Sequence, residues 1–337
     1  MGRIVKWLVG LTLAAGLGWG GWWFAAAAGQ QAALEGWLEA RAAEGWQAEG
    51  RVEVGGFPTL FARRIDGPAL ADPVAGWAWQ TDWLEAESPA WDPTDIALRL
   101  PDTQSFALPR ARVAVTSTRF DGRLAVVPAI GLPLRRLGLE IASLALEGRE
   151  GWQAGADRVS IDLARRTEGA PENTYALDLT ADAVRLPERL LGELGMTGEA
   201  GLRIDGQVVT DRPLDLDVLE TGIVGARTLV IREGRLTLGN AAIAARGRLD
   251  ADAEGFAEGS LEIEARDWKR LLDALVDAGA LDPRVADTVS RALGFAALLG
   301  GGDDLEITLG FSGGATRIGP VPIGGAPRLL PRRPATG

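Results

Sequence analysis

Apolar and polar positions along this chain change rhythm several times. Between Lys6 and Glu35 no residue is charged, and WLVGLTLAAGLGWGGWWFAAAAGQQAAL is apolar over most of its length. About 20 such residues in a helix match the thickness of a bilayer core. Leu34, Trp37, Leu38 and Arg41 then recur at helical spacing, with Glu35, Glu39 and Glu44 between them, which predicts a short amphipathic helix. From about Ala48 to Thr118 the chain reads as short strands broken by Gly, Pro and Asp. Clean alternation follows. Val113, Val115 and Ser117 share a face. Val159, Ile161 and Leu163 alternate with Ser160 and Asp162. The same holds for Tyr175, Leu177 and Leu179, for Leu202 and Ile204, and for Ile243, Ala245, Gly247 and Leu249. It holds again for Leu261 and Ile263, and for Leu305, Ile307, Leu309 and Phe311. A period of two with one apolar face predicts antiparallel strands covered on one side.

Helical patterns interrupt these strands twice. LPERLLGEL (Leu186–Leu194) carries Pro187 near a first turn, followed by Gly195. Arg266–Gly301 reads as a helical hairpin. Asp267 caps its first helix, Trp268, Leu271, Leu272, Leu275 and Val276 form the stripe, and Asp282-Pro283 opens the second. The expected class is mainly β (α+β). An N-terminal transmembrane helix is followed by a long antiparallel, curved sheet or sandwich with a C-terminal helical hairpin. The expected organisation is a cytoplasmic tip and transmembrane anchor over 1–32, the amphipathic helix over 33–47, a β-rich periplasmic domain over 48–330, and a disordered tail over 331–337.

Charge orients the first segment. Arg3 and Lys6 precede the apolar run, so the N-terminus is expected in the cytoplasm and the rest outside. Trp19, Trp22 and Trp23 lie towards its outer end, where aromatic rings favour the interface. The rival is a cleaved signal peptide, for which Ala25–Gly29 offers small residues. Gly16-x-x-x-Gly20 fits a helix-pairing face, although chance supplies the same spacing in so Gly/Ala-rich a run.

Composition narrows the chemistry. The chain has 337 residues, enough for one large domain or two modest ones. It contains no Cys, which removes disulfides, thiolate nucleophiles and zinc–thiolate sites. It contains no His, which removes the commonest general base and any Ser-His-Asp triad. The formal net charge of −11 argues against a nucleic-acid partner. No cofactor is expected. "GLGWGG" lies inside the anchor and "GGGDD" lacks the Lys-Ser/Thr of a phosphate loop.

Carboxylates are the remaining chemistry. Asp303-Asp304 after three glycines has the composition of a metal loop, but a solvated turn explains it as well. Asp211, Asp215 and Asp217 read as the polar face of a strand. Asp92 and Asp95 flank Pro93 as turn residues. No pair of acids stands out as a glycosidase pair. Aromatic residues give the stronger candidate. Phe57, Phe61, Trp77, Trp79, Trp83 and Trp91 crowd one stretch. They form either core or an apolar, membrane-proximal contact.

The same stretch carries a resemblance. Gly56-Phe57-Pro58, Phe61, Asp72-Pro73, Gly76, Trp79 and Pro101-Asp102-Thr103-Gln104 resemble the opening of an alphaproteobacterial family catalogued as domain of unknown function 2125. GRLDADAEGFAEGSLEIEARDWKRLLDALVDAGALDP and GPVPIGGAPRL resemble its C-terminal part. Gly247–Gly279 is more loosely similar to repeats of AsmA-like envelope proteins. The resemblance implies a membrane-anchored envelope protein without an assigned activity; with the anchor read above, the expected location is the bacterial inner membrane, single-pass. It implies no catalytic or metal residues. Two readings remain: a non-enzymatic protein that binds lipid or an envelope partner, or a carboxylate-dependent hydrolase of envelope polymers. A pure interaction scaffold differs from the first only in lacking an apolar groove.

Overall fold

A computed structural model describes residues 2–109, 111–194, 197–267, 286–287, 290–291, 294 and 304–331. The chain divides into two compact units, residues 1–125 with 147–149, and residues 126–146 with 150–337. The described residues are mainly β, and the strand pairs with recorded register are antiparallel.

The first unit begins with one continuous helix, α1 (Gly2–Ala43). The expected anchor and amphipathic helix are therefore a single element. Nothing between Gln30 and Ala33 breaks it. It stops where Gly45 turns left-handed at φ 92° and the Trp46 N–H returns to Arg41 O at 3.0 Å.

The transmembrane expectation needs correction. Among the described residues, no helix is long and apolar enough to cross a membrane. The C-terminal half of α1 is instead packed on the sheet. Trp23 and Ala27 are buried, and Gln30, Leu34, Leu38 and Arg41 are half-buried at three- and four-residue spacing. That face belongs to the sheet. Ahead of it, the run from Trp7 to Trp22 is in large part Gly, Ala and Trp rather than Leu or Ile.

Strand β1 (Gln47–Gly55) pairs along β2 (Leu60–Asp72). β2 is the hub of the unit. Its first half pairs with β4 (Trp83–Pro89) and its second half with β3 (Trp77–Thr81). Gly67-Pro68 sits at the fork. Pro68 has no N–H to give either partner, and the Gly67 N–H goes to Asp82 O at 2.8 Å. From the fork one ribbon continues through β5 (Asp95–Arg99) to β8 (Arg119–Val126). The other continues through β6 (Thr103–Leu108) to β7 (Ala111–Thr116).

The second unit is a meander. It takes most of β9 (Leu134–Gly148), then β10 (Gln153–Arg166), β11 (Thr174–Val184), helix α2 (Glu188–Leu194) and β12 (Ala200–Thr210). Helix α3 (Leu216–Thr221), β13 (Ala226–Leu238), β14 (Ala241–Ala251) and β15 (Ala257–Arg266) follow. β16 (Asp304–Ser312), β17 (Ala315–Ile318) and β18 (Val321–Gly325) complete it. Each strand from β10 onward pairs with the next in sequence.

Register carries the apolar stripe from strand to strand. Ile161 faces Leu179, Leu179 faces Ile204, Leu202 faces Leu236, Leu236 faces Ile243, and Ile263 faces Ile307. Burial along the stripe is uneven. Leu249, Ile263, Leu309 and Phe311 are buried in one cluster, while Leu177, Leu179, Leu202 and Ile204 are only half-buried. The opposite face carries guanidinium–carboxylate pairs such as Arg246 with Glu262 at 2.5 Å and Arg203 with Glu233 at 3.3 Å. Hydrogen bonds from Arg232 hold Asp205 below the usual carboxylate range, and those from Arg248 and Thr228 do the same for Asp250. Such exposed pairs are screened by water and add little to stability. Their main effect is to keep that face in water.

The predicted hairpin over Arg266–Gly301 lies largely outside the described residues. Within it Ala286, Asp287, Ser290, Arg291 and Gly294 are helical.

Candidate functional site

The Gly-Phe-Pro stretch lies in the tight loop between β1 and β2, with a cis Phe57-Pro58 peptide. Gly56 has φ 100°, and a Cβ there would stand 2.8 Å from Leu60 O, so the loop requires glycine. The Leu60 N–H closes the turn onto Gly56 O at 2.9 Å.

Two tryptophans of α1, one helical turn apart, grip this loop by its backbone. Trp19 Nε1 donates to Pro58 O at 2.9 Å, and Trp23 Nε1 donates to Leu60 O at 3.0 Å. The Trp23 bond satisfies an indole donor that would otherwise oppose burial. The Trp23 ring stacks on Phe61 at 5.4 Å and 16°, and meets Phe57 edge-on at 5.4 Å. Phe57 in turn stacks on Phe24 at 5.3 Å. Trp23, Ala27, Phe61 and Ala90 form the buried centre of this cluster.

Its outer side is exposed aromatic surface. Trp19 is 38% exposed, Trp22 46%, Phe57 49%, Phe24 61% and Trp91 69%. Trp91 reaches this end because the neighbouring Ala90 N–H bonds to Thr59 O at 2.8 Å. Deeper in, Arg63 ties helix to sheet. Its Nε donates to Gln30 Oε1 at 2.6 Å and its Nη2 to Ser88 Oγ at 3.0 Å. Burial pushes the Arg63 pKa below the ordinary guanidinium value.

The six residues singled out in the sequence are thus divided. Phe57 and Trp91 stand on the exposed rim, and Phe61 is buried core at 1% exposure. Trp77, Trp79 and Trp83 lie elsewhere along the sheet. Trp77 faces Asp72 at the far end of β2 and packs edge-on against Trp46 at 5.4 Å. Trp79 Nε1 donates to Gln104 Oε1 at 3.1 Å. Trp83 lies under the Arg64 guanidinium at 5.3 Å. Sequence reasoning placed Trp19, Trp22 and Trp23 on the helix without joining them to Gly-Phe-Pro. The readable signal was the i, i+4 spacing of Trp19 and Trp23, which puts both on one helix face.

The acids serve local structure. Asp211, Asp215 and Asp217 lie on a loop and α3, not on a strand. Pro213 interrupts the strand pattern, Asp215 caps α3 by accepting from Val218 N at 3.1 Å, and Gly222 ends it at φ 66°. Asp211 accepts from Gly225 N at 2.9 Å, and Asp217 pairs with Arg212. Asp92 accepts from Thr94 Oγ1 at 2.6 Å, and both Asp95 oxygens accept from Arg123. Among the described residues no group of three or more acidic side chains is placed to hold a metal ion. Asp303 lies outside the described residues, and Asp304 begins β16.

Comparison with known protein families places the chain. The model of the family described as "Uncharacterized protein conserved in bacteria (DUF2125)" fits residues 23–327. No curated protein and no solved structure matches the chain. The family match starts at Trp23, the residue at which α1 becomes buried against β2. It covers Gly-Phe-Pro, both strand systems and the GPVPIGGAPRL segment. The chain therefore belongs to this family of uncharacterised bacterial proteins, DUF2125.

Proposed function

We propose that this is a membrane-attached, non-enzymatic protein of the bacterial envelope, held to lipid by the free half of α1. One observation carries the reading. Every residue from Leu11 to Trp19 is exposed, with Leu11 at 68%, Leu13 at 63% and Leu17 at 78%. Leu11 and Leu13 point to different sides of the helix, since each residue turns it by about 100°. A helix apolar all round has no single face to offer a protein groove, and it suits lipid. The Arg3/Lys6 tip ahead of the apolar run has the form of an export signal. On that ground we place the β-rich part in the periplasm. The absence of His and Cys favours binding over catalysis.

Flotation of the full chain with phosphatidylethanolamine–phosphatidylglycerol vesicles tests the attachment. The unmodified chain is expected to float with the vesicles. Leu13→Asp together with Leu17→Asp is expected to abolish flotation, because a carboxylate is costly to carry into an apolar layer. Both positions are free of the sheet, so the melting temperature should stay unchanged. Equal flotation of the double variant would overturn the reading.

A binding role for lipid has its own support. Leu177, Leu179, Leu202 and Ile204 are half-buried although they continue the stripe that is sealed over β14–β16. An acyl chain or an apolar partner would complete that burial, worth about 25 cal/mol per Å² covered. Organic extraction of the purified full chain is expected to release bound lipid in stoichiometric amount. Extraction of none would remove this role and leave attachment standing.

A further inference from the structure

We infer that the exposed rim of Trp19, Trp22, Phe24, Phe57 and Trp91 is a docking collar that seats the first unit in the headgroup layer of a lipid bilayer. The inference deepens the attachment reading and rests on it. Attachment needs only the free helix. The collar adds that the folded unit itself meets lipid, through residues from three separate parts of the chain.

Placement is the first argument. The rim surrounds the point where α1 leaves the sheet. Trp19, Trp22 and Phe24 come from the helix. Phe57 comes from the loop held to it by two indole hydrogen bonds. Trp91 is brought in by the Ala90–Thr59 contact. On the N-terminal side Leu11 to Trp19 are exposed, and on the C-terminal side the helix is packed on the sheet. The rim therefore stands where the exposed apolar stretch of the helix ends.

Chemistry is the second. Trp and other aromatic side chains concentrate at the membrane–water boundary, where a flat apolar ring meets a polar layer. The helix between Trp7 and Gln30 carries no charge, and neither does the loop from Gly55 to Phe61. The charge nearest the rim in sequence is Asp92, beside Trp91, and it accepts from Thr94 Oγ1 at 2.6 Å. A partner protein would have to fit both this rim and a helix apolar on every side, whereas a bilayer fits both at once. Continuity with the free helix therefore selects lipid as the occupant.

The test uses the absence of cysteine in the native sequence. Single cysteines are introduced into the full chain as Phe57→Cys, Trp91→Cys and Val74→Cys, each labelled with an environment-sensitive nitrobenzoxadiazole fluorophore. Val74 is 96% exposed, in the turn between β2 and β3. It lies about 40 Å along β2 from the rim, at ~3.3 Å per strand residue. On vesicles of the composition above, labels at positions 57 and 91 are expected to brighten several-fold and shift to the blue. Shallow nitroxide lipids should quench them more than deep ones. The label at position 74 should not respond. Trp91 is two-thirds exposed, so its variant tests the collar without disturbing the core, and a melting curve confirms that each variant is folded.

Vesicle-bound protein in which positions 57 and 91 both behave as position 74 does would overturn the collar and leave attachment intact. Brightening without vesicles, with a dimer in light scattering, would overturn it in favour of a second copy of the chain. Loss of vesicle binding by the unmodified chain would overturn both readings together.

Discussion

Replacing Trp23 with alanine is expected to lower unfolding free energy by about 3–5 kcal/mol, the range for a large aromatic lost from a core. The side chain is 3% exposed. Its removal opens a cavity beside Phe61, Phe57 and Ala27 and leaves Leu60 O without its indole donor. The adjacent Phe24 supplies the contrast. It is 61% exposed and touches Phe57 and the edge of Trp23. Phe24→Ala should cost no more than about 1 kcal/mol. Urea denaturation followed by circular dichroism checks both. Equal losses at the two positions would mean that α1 does not dock on the sheet through Trp23. The helix would then be a tether rather than part of the domain. The start of the family match at residue 23 is consistent with the docked half belonging to the shared fold.

That pair of neighbours shows how far the sequence could be read. Trp22, Trp23 and Phe24 are consecutive apolar residues, and periodicity alone assigns all three to one apolar run. Only the position of the β1–β2 loop decides which ring is sealed and which is bare. The alternating strands were legible because one face of each is apolar and the other polar, and every alternating run named from the sequence falls within β7, β10, β11, β12, β14, β15 or β16, give or take a terminal residue. β2 was not legible as one strand. Gly67-Pro68 reads as a break, and the chain instead uses it to change partners without changing direction. α3 was hidden for a related reason. It is a single capped turn and a half, too short to show helical periodicity, and Asp215 with Asp217 imitates strand alternation. Among the candidate contact residues, the sequence located the right loop and the right helix. It could not join them, because that contact spans residues far apart in the chain and is made by backbone carbonyls, which no side-chain pattern records.

Glycine gives the sharper case. Gly259 on β15 and Gly310 on β16 lie in neighbouring strands at almost the same level, where Gly259 faces Phe311 and Ser260 faces Gly310. In the sequence both are glycines in an alternating strand. In the structure they differ completely. Gly259 has φ 134°, a conformation essentially confined to glycine. A Cβ there would collide with Arg248 O and stand 3.3 Å from its carbonyl carbon, on the partner strand β14. Gly310 has nothing within 4 Å of a Cβ. Gly259→Ala must therefore either push β14 away or rotate its own backbone, and both outcomes disturb the β14–β15 ladder beside Leu249, a member of the buried cluster. The expected loss is on the order of 3 kcal/mol, from backbone strain and a displaced ladder hydrogen bond. Gly310→Ala should be neutral or stabilise by a few tenths to 1 kcal/mol, because alanine restricts the unfolded chain without a clash in the folded one. Thermal unfolding of the two variants makes the comparison. If both lost stability alike, the common cause would be glycine's absence from a strand interior, and the close approach of β14 to β15 at Gly259 would not be what holds this part of the sheet in register.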